Sequence, residues 1–114
     1  EVVQIVFSQN DCSYKSLLKV FFESHDPTQG MRQGNDRGTQ YRSAIIYKDE
    51  NQYKTALGLK DSYNTNLTSK GFNCVTTEMK SFDHYYLAES YHQQYLSKNP
   101  NGYCGIQGTG IKCL

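Results

Sequence analysis

One apolar stripe constrains this chain more than any other feature. Tyr14, Leu17, Leu18, Phe21 and Phe22 recur at i, i+3, i+4, i+7 and i+8, and Ser13 just before them can cap a helix. Such a helix must bury one face, so the fold needs a second layer to receive it. Around the stripe the period changes. In Glu1 to Phe7, Val3, Ile5 and Phe7 alternate with Val2, Gln4 and Val6, which predicts a strand. Strand character returns over Tyr41 to Tyr47, centred on Ala44, Ile45 and Ile46. Asp49 and Gln52 form a capping-box pattern that opens a second helix, with Tyr53, Ala56, Leu57, Tyr63 and Leu67 on one side and an end near Gly71. A third strand fits Asn73 to Met79. A third helix fits Tyr85 to Leu96, where Ala88, Tyr91, His92 and Tyr95 share a face.

The order strand, helix, loop, strand, helix, strand, helix predicts an α+β domain, a two-layer sandwich of a small mixed sheet with packed helices. A length of 114 residues allows one such domain. Its body is expected over 1–96. Residues 97–114 carry Pro100, glycines at 102, 105, 108 and 110 and no periodicity, so a long C-terminal coil wrapped over the body is expected. Hydrophobic residues make up only 37%, and the core must lean on ten Tyr and five Phe. Each buried tyrosine then needs a partner for its hydroxyl.

Charge and composition exclude several roles. With 12 Lys+Arg against 11 Asp+Glu, the formal charge of +1 gives no footprint for nucleic acid or an anionic membrane. No apolar run reaches the length of a membrane span, and no secretory leader opens the sequence. Glu1 stands in the middle of a strand-like run, so the sequence is expected to begin inside a longer one. The cysteines at 12, 74, 104 and 113 and the histidines at 25, 84 and 92 do not fall at zinc-ligand spacing, and no metal is expected.

Two stretches could carry chemistry. From His25 to Gln40 the pattern dissolves into His-Asp-Pro-Thr-Gln-Gly-Met-Arg-Gln-Gly-Asn-Asp-Arg-Gly-Thr-Gln, a polar loop too long for an idle connection. In and beside it, Glu1, Asp36 and Tyr41 are candidate proton donors or acceptors, with His92, Tyr95 and Tyr103 available from the C-terminal part. Any one of these residue types is more often a structural hydrogen-bonding group than a catalyst. The second stretch is the tail, where Cys104 and Cys113 flank a glycine-rich loop. Flexible glycines let two sulfurs approach, as thiol–disulfide exchange requires. A structural disulfide tying down the terminus fits the same residues.

Glu-Ser-His-Asp-Pro-Thr-Gln-Gly-Met-Arg-Gln-Gly-Asn-Asp-Arg-Gly-Thr-Gln-Tyr-Arg-Ser-Ala-Ile, from Glu23 to Ile45, is similar almost letter for letter to the signature of the A-type peptide methionine sulfoxide reductases. The family's closing pattern also appears, in Ala88-Glu89, in His92 to Leu96, in Lys98-Asn99-Pro100 and in Gly102 to Gly105. The resemblance spans the chain and is weakest between Lys48 and Asn73. It implies a ferredoxin-like plait and reduction of the S epimer of methionine sulfoxide, free or in proteins. It also implies thioredoxin or another dithiol as reductant, with no further cofactor.

Position by position, Glu1 matches the family's proton-donating glutamate. Asp36 and Tyr41 match residues that help hold the substrate oxygen and a catalytic water. His92, Tyr95 and Tyr103 match residues lining or supporting the pocket, and Cys104 and Cys113 match the two recycling cysteines of three-cysteine members. The family's nucleophile lies upstream in a Gly-Cys-Phe-Trp motif, which these 114 residues do not contain. These 114 residues alone are therefore expected to be inactive, Cys12 and Cys74 to be ordinary thiols, and the protein to be monomeric. A cytoplasmic setting is expected, with an organelle as the other possibility. A non-catalytic product binding oxidised methionine or thioredoxin is the first alternative. A small secreted protein with purely structural bridges is the second.

Overall fold

The structure, a computed structural model, describes residues 1–104 and 106–113. Gly105, counted above among the tail's flexible glycines, lies outside the described residues, as does Leu114. In chain order the elements are α1 (Tyr14–Ser24), β1 (Arg32–Gln33), β2 (Asp36–Arg37), a 3₁₀ turn (Thr39–Tyr41), β3 (Ala44–Tyr47), α2 (Glu50–Ser69), β4 (Glu78–Ser81) and α3 (Tyr95–Lys98).

Both long helices begin where the sequence places them, because their signals are local. Ser13 Oγ accepts the Ser16 N–H at 3.0 Å, and Asp49 Oδ1 accepts the Gln52 N–H at 2.8 Å. Gln52 completes the box by accepting the Lys48 N–H on Oε1 at 2.8 Å, one residue earlier than the usual reciprocal bond. At the far end of α2, Gly71 takes φ +89°, the left-handed step that stops a helix. The two helices pack their apolar faces together and onto β3, enclosing Leu18, Phe22, Ile45, Ala56, Leu59, Tyr63 and Leu67. Leu59, rather than the half-buried Leu57, completes the buried face of α2.

The fold is α+β. β3 and β4 run parallel, in register from Ala44↔Glu78 to Tyr47↔Ser81, with α2 as the crossover that a parallel pair requires. β1 and β2 form a separate antiparallel hairpin, pairing Arg32 with Arg37 and Gln33 with Asp36. The strands thus have both senses but make two two-stranded ladders instead of one mixed sheet.

Three expected elements differ. Residues 1–7 form no strand: Val3 is 84% and Val6 93% exposed, and no strand among the described residues lies beside them. Alternation marks a strand only when an edge is available to pair with it. The third strand starts at Glu78, because the backbone before it is taken by other partners. The Val75 N–H donates to Asn64 Oδ1 at 2.8 Å and the Thr76 N–H to Pro27 O at 2.8 Å. The third helix shrinks to Tyr95–Lys98, preceded by Gln94 at φ +52°. Its expected face buries none of its four residues, with Tyr91 66% exposed, and a short helix gains most of its stability from packing. Beyond α3, which takes the first two residues of the expected coil, the described residues 99–104 and 106–113 form no helix or strand.

Candidate active site

Asp36 owes its position to the β1–β2 hairpin. Gly34, at φ +61°, supplies the positive φ that tight hairpin turns demand, and Arg32 Nη1 donates to its carbonyl at 2.7 Å. The Gly34 N–H donates in turn to Gln29 Oε1 at 2.7 Å, which ties the turn to the polar loop. After β2, Gly38 takes φ +140°, and its N–H donates to Met31 O at 2.8 Å. That bend starts the 3₁₀ turn carrying Tyr41, which is half-buried like Asp36. The backbone nitrogen of Glu1 donates to Gln40 O at 3.1 Å, so Glu1 is tethered to the same turn. Its residue is exposed, not buried as a desolvated acid would be.

The tail reaches this cluster from the other end of the chain. Tyr103 Oη donates to Asp36 Oδ2 across 3.5 Å, a loose contact between residues 67 apart in sequence. Desolvation at its tip, followed by the charge of Asp36 beside it, raises the Tyr103 hydroxyl pKa above the ordinary value, with Cys104 and Tyr41 contributing in the same sense. Tyr103 and Cys104 line an open depression of about 440 Å³ together with Gly34, Asn35, Ile106 and Gln107. Gly102 turns the chain into it, and a Cβ there would collide with the Tyr95 ring. Tyr95 therefore supports the approach of the tail.

Glu1, Asp36, Tyr41, Tyr103 and Cys104 thus gather around the hairpin and the 3₁₀ turn. His92 does not join them. Its Nδ1 lies 2.9 Å from Glu89 Oε2 on the exposed 82–98 stretch, a pair that lowers the Glu89 pKa only after a backbone hydrogen bond does. Cys113 sits elsewhere, half-buried against the helical core. All four cysteines are free thiols. Among the described residues no three His, Cys, Asp or Glu side chains meet in a group that could hold a metal ion.

Sequence reasoning missed His25. Its Nδ1 lies 2.6 Å from Phe21 O and its Nε2 2.8 Å from Ser43 Oγ, which is itself 2.8 Å from Thr77 Oγ1. Because a carbonyl can only accept, Nδ1 carries the proton, Nε2 accepts from Ser43, and Ser43 accepts from Thr77. Burial lowers the His25 pKa, outweighing the bond to Phe21. This chain of bonds ties the end of α1 to the starts of β3 and β4 and so sets the base on which the 3₁₀ turn stands. A lone histidine followed by Asp-Pro gave no signal of it.

A family model described as peptide methionine sulfoxide reductase matches residues 1–112. The mitochondrial peptide methionine sulfoxide reductase of Homo sapiens is 56% identical over 113 residues, which cover 99% of this chain and 48% of that protein. The peptide methionine sulfoxide reductase MsrA of Pseudomonas aeruginosa (strain LESB58) is 54% identical over 114 residues, all of this chain and 53% of that one. Among solved structures, reduced Mxr1 from Saccharomyces cerevisiae superposes with a TM-score of 0.80 at 33% identity, covering 87% of this chain and 52% of Mxr1. Methionine sulfoxide reductase A of Corynebacterium diphtheriae gives 0.74 at 44% identity, covering 90% and 52%. The chain spans about half the length of the relatives it matches. No helix among its described residues is long and apolar enough to cross a membrane.

Proposed function

The chain belongs to the peptide methionine sulfoxide reductase family, and from that premise we propose that the whole protein reduces methionine S-sulfoxide, free or in proteins, and so repairs oxidised proteins. One observation carries the reading: the tail lays Tyr103 against Asp36 and brings Cys104 into the same depression, beside the turn that holds Tyr41 and Glu1. A reducing thiol, a carboxylate and a tyrosine hydroxyl around one open space suit a sulfoxide whose oxygen must be held and protonated.

The steps follow from sulfur chemistry. A thiolate supplied from outside these 114 residues attacks the sulfoxide sulfur while Glu1 donates a proton to the oxygen, with Asp36 and Tyr41 holding that oxygen. Methionine leaves, and the nucleophile is left as a sulfenic acid. The Cys104 thiol condenses with it, releasing water and forming a disulfide. Cys113 then attacks the Cys104 sulfur and carries the disulfide to the tail, where thioredoxin or another dithiol reduces it. In this reading residues 1–96 are the body of the domain and 97–114 its redox coil. The protein acts as a monomer in the cytoplasm. Human and bovine relatives are named mitochondrial and others are bacterial, so an organelle suits the same chemistry.

The test uses the full-length protein with methionine S-sulfoxide. Cys113→Ser leaves the single-turnover yield of methionine intact and slows thioredoxin-dependent turnover by about tenfold or more, because the exchange onto the tail is lost. Loss of the single turnover itself would remove Cys113 from the recycling role. Full thioredoxin-driven turnover in this variant would do the same.

A further inference from the structure

Cys104 and Cys113 rest on different supports. Whereas Cys104 is exposed at the depression, the last described residues are pinned to the two long helices. Glu23, in the final turn of α1, accepts the Cys113 N–H on Oε2 at 2.9 Å and faces the Lys112 ammonium with Oε1 at 3.5 Å. From α2, Tyr63 Oη donates to Ile111 O at 2.7 Å and lies 3.2 Å from Thr109 Oγ1. Asn66 Nδ2 donates to Lys112 O at 2.9 Å. Ile111 and Cys113 both pack on the core cluster. Gly108 marks the closest crossing, since a Cβ there would collide with the Glu23 carbonyl oxygen.

Attachments at five of six consecutive residues amount to more than a coil lying on a surface. We propose that residues 108–113 form a latch, keyed by Glu23, Tyr63 and Asn66, that stores Cys113 against α1 and α2 and must open before its sulfur can reach Cys104. Glu23 is thus a positioning residue acting through the tail. The inference rests on the relay proposed above. With the latch open, Cys113 gives its proton to solvent and its thiolate attacks Cys104 in the disulfide with the nucleophilic cysteine. The Cys104–Cys113 bond forms, and the nucleophile departs as a thiolate that takes up a proton. One disulfide is exchanged for another, with no net oxidation.

The docked position also quietens the thiol. Burial first, and then the Glu23 carboxylate, push the Cys113 pKa up to about 11, so the docked thiol stays protonated at neutral pH. The charged and titratable groups facing it are Glu23 and Lys19 from α1, Tyr63 from α2 and its own neighbour Lys112. Cys113 is therefore held out of premature exchange while Cys104 remains available to the sulfenic acid.

The experiment alkylates the reduced full-length protein with iodoacetamide and follows each cysteine by peptide mass mapping, with exposed Cys74 as internal reference. Glu23→Gln speeds alkylation of Cys113 by about tenfold, the scale of a lost charge-assisted bond, and moves its pH midpoint down toward the ordinary thiol range. Asn66→Ala, which removes one bond without touching the charges, gives about threefold. Circular dichroism confirms that α1 and α2 are retained. Equal alkylation of Cys113 and Cys74 in the parent, or unchanged rates in both variants, overturns the latch. Faster alkylation in the variants supports it. If Cys113→Ser nevertheless recycles fully with thioredoxin, the relay falls while the latch stands.

Discussion

Residues 14–81 and residues 82–107 are both rich in aromatic side chains, yet only the first stretch buries any. Phe22 and Tyr63 are 0% and 1% exposed, whereas Phe82, Tyr85, Tyr86, Tyr91, Tyr95 and Tyr103 are all at least 37% exposed. Composition does not separate the two regions. In α1 and α2 the aromatic and aliphatic groups recur on one helical face, so a single packing event buries them together. In 82–107 no such face survives, because α3 is four residues long. The groups proposed for the reaction follow the second pattern. Asp36 and Tyr41 are half-buried and Glu1, Tyr103 and Cys104 exposed, on a hairpin, a turn and a coil fastened to the packed layer. The buried core and the proposed chemistry thereby fall in different parts of the molecule.

That division predicts that substitutions split cleanly between rate and stability. The largest effect is expected at Glu1. In the full-length protein Glu1→Gln slows the chemical step by about two to four powers of ten, the range for a lost general acid, and leaves the thermal midpoint where it was. Stopped-flow single-turnover rates beside a thermal melt measure both. A rate equal to the parent's would take Glu1 out of the reaction.

Next comes the packed layer. Phe22→Ala empties the centre of the core and is expected to cost about 3–5 kcal/mol, while Tyr91→Ala on the exposed stretch stays within about 0.5 kcal/mol. Urea denaturation of the two variants gives the comparison directly, and similar losses would show that 82–107 is packed after all.

The smallest effect sharpens the boundary between the regions. Burial places the folded His25 pKa below the ordinary 6.5, so between those two values the unfolded chain holds more protons than the folded one. The stability contributed by neutral His25 is complete above pH 6.5 and is lost as pH falls through the folded value. Urea midpoints measured from pH 7.5 down to pH 5 should decline, and His25→Gln should flatten the decline over that window. Ser43→Ala, which leaves Nε2 without a donor, should cost about 1–3 kcal/mol at pH 7.5. An identical pH profile in His25→Gln would assign the decline to other groups.

Much of the frame is legible in the sequence. Ser13 and Asp49 cap helices through bonds to residues three positions on, and Gly71 ends α2 through its own φ, so each signal sits within one turn of its effect. The 1–7 run, the strand start at Glu78 and the 85–96 stretch depart from their sequence patterns for one reason. Each depended on a remote partner: an edge to pair with, Asn64 and Pro27 competing for the backbone, a surface to pack on. The candidate site divides the same way. Residue types were readable from the loop and the tail, but the contact of Tyr103 with Asp36 crosses 67 positions that no periodicity links.

By itself, then, the sequence determined the two capped helices and, through the Glu23 to Ile45 signature, the family. Short-range bonds and helical periodicity write such features into neighbouring letters. Only the tertiary structure decided that His25 is clasped between the Phe21 carbonyl and Ser43, that His92 stands apart from Asp36, and that Cys113 lies clasped by Glu23, Tyr63 and Asn66. Those outcomes depend on which distant groups meet when one apolar face is buried, and burial brings together residues 18 to 90 positions apart.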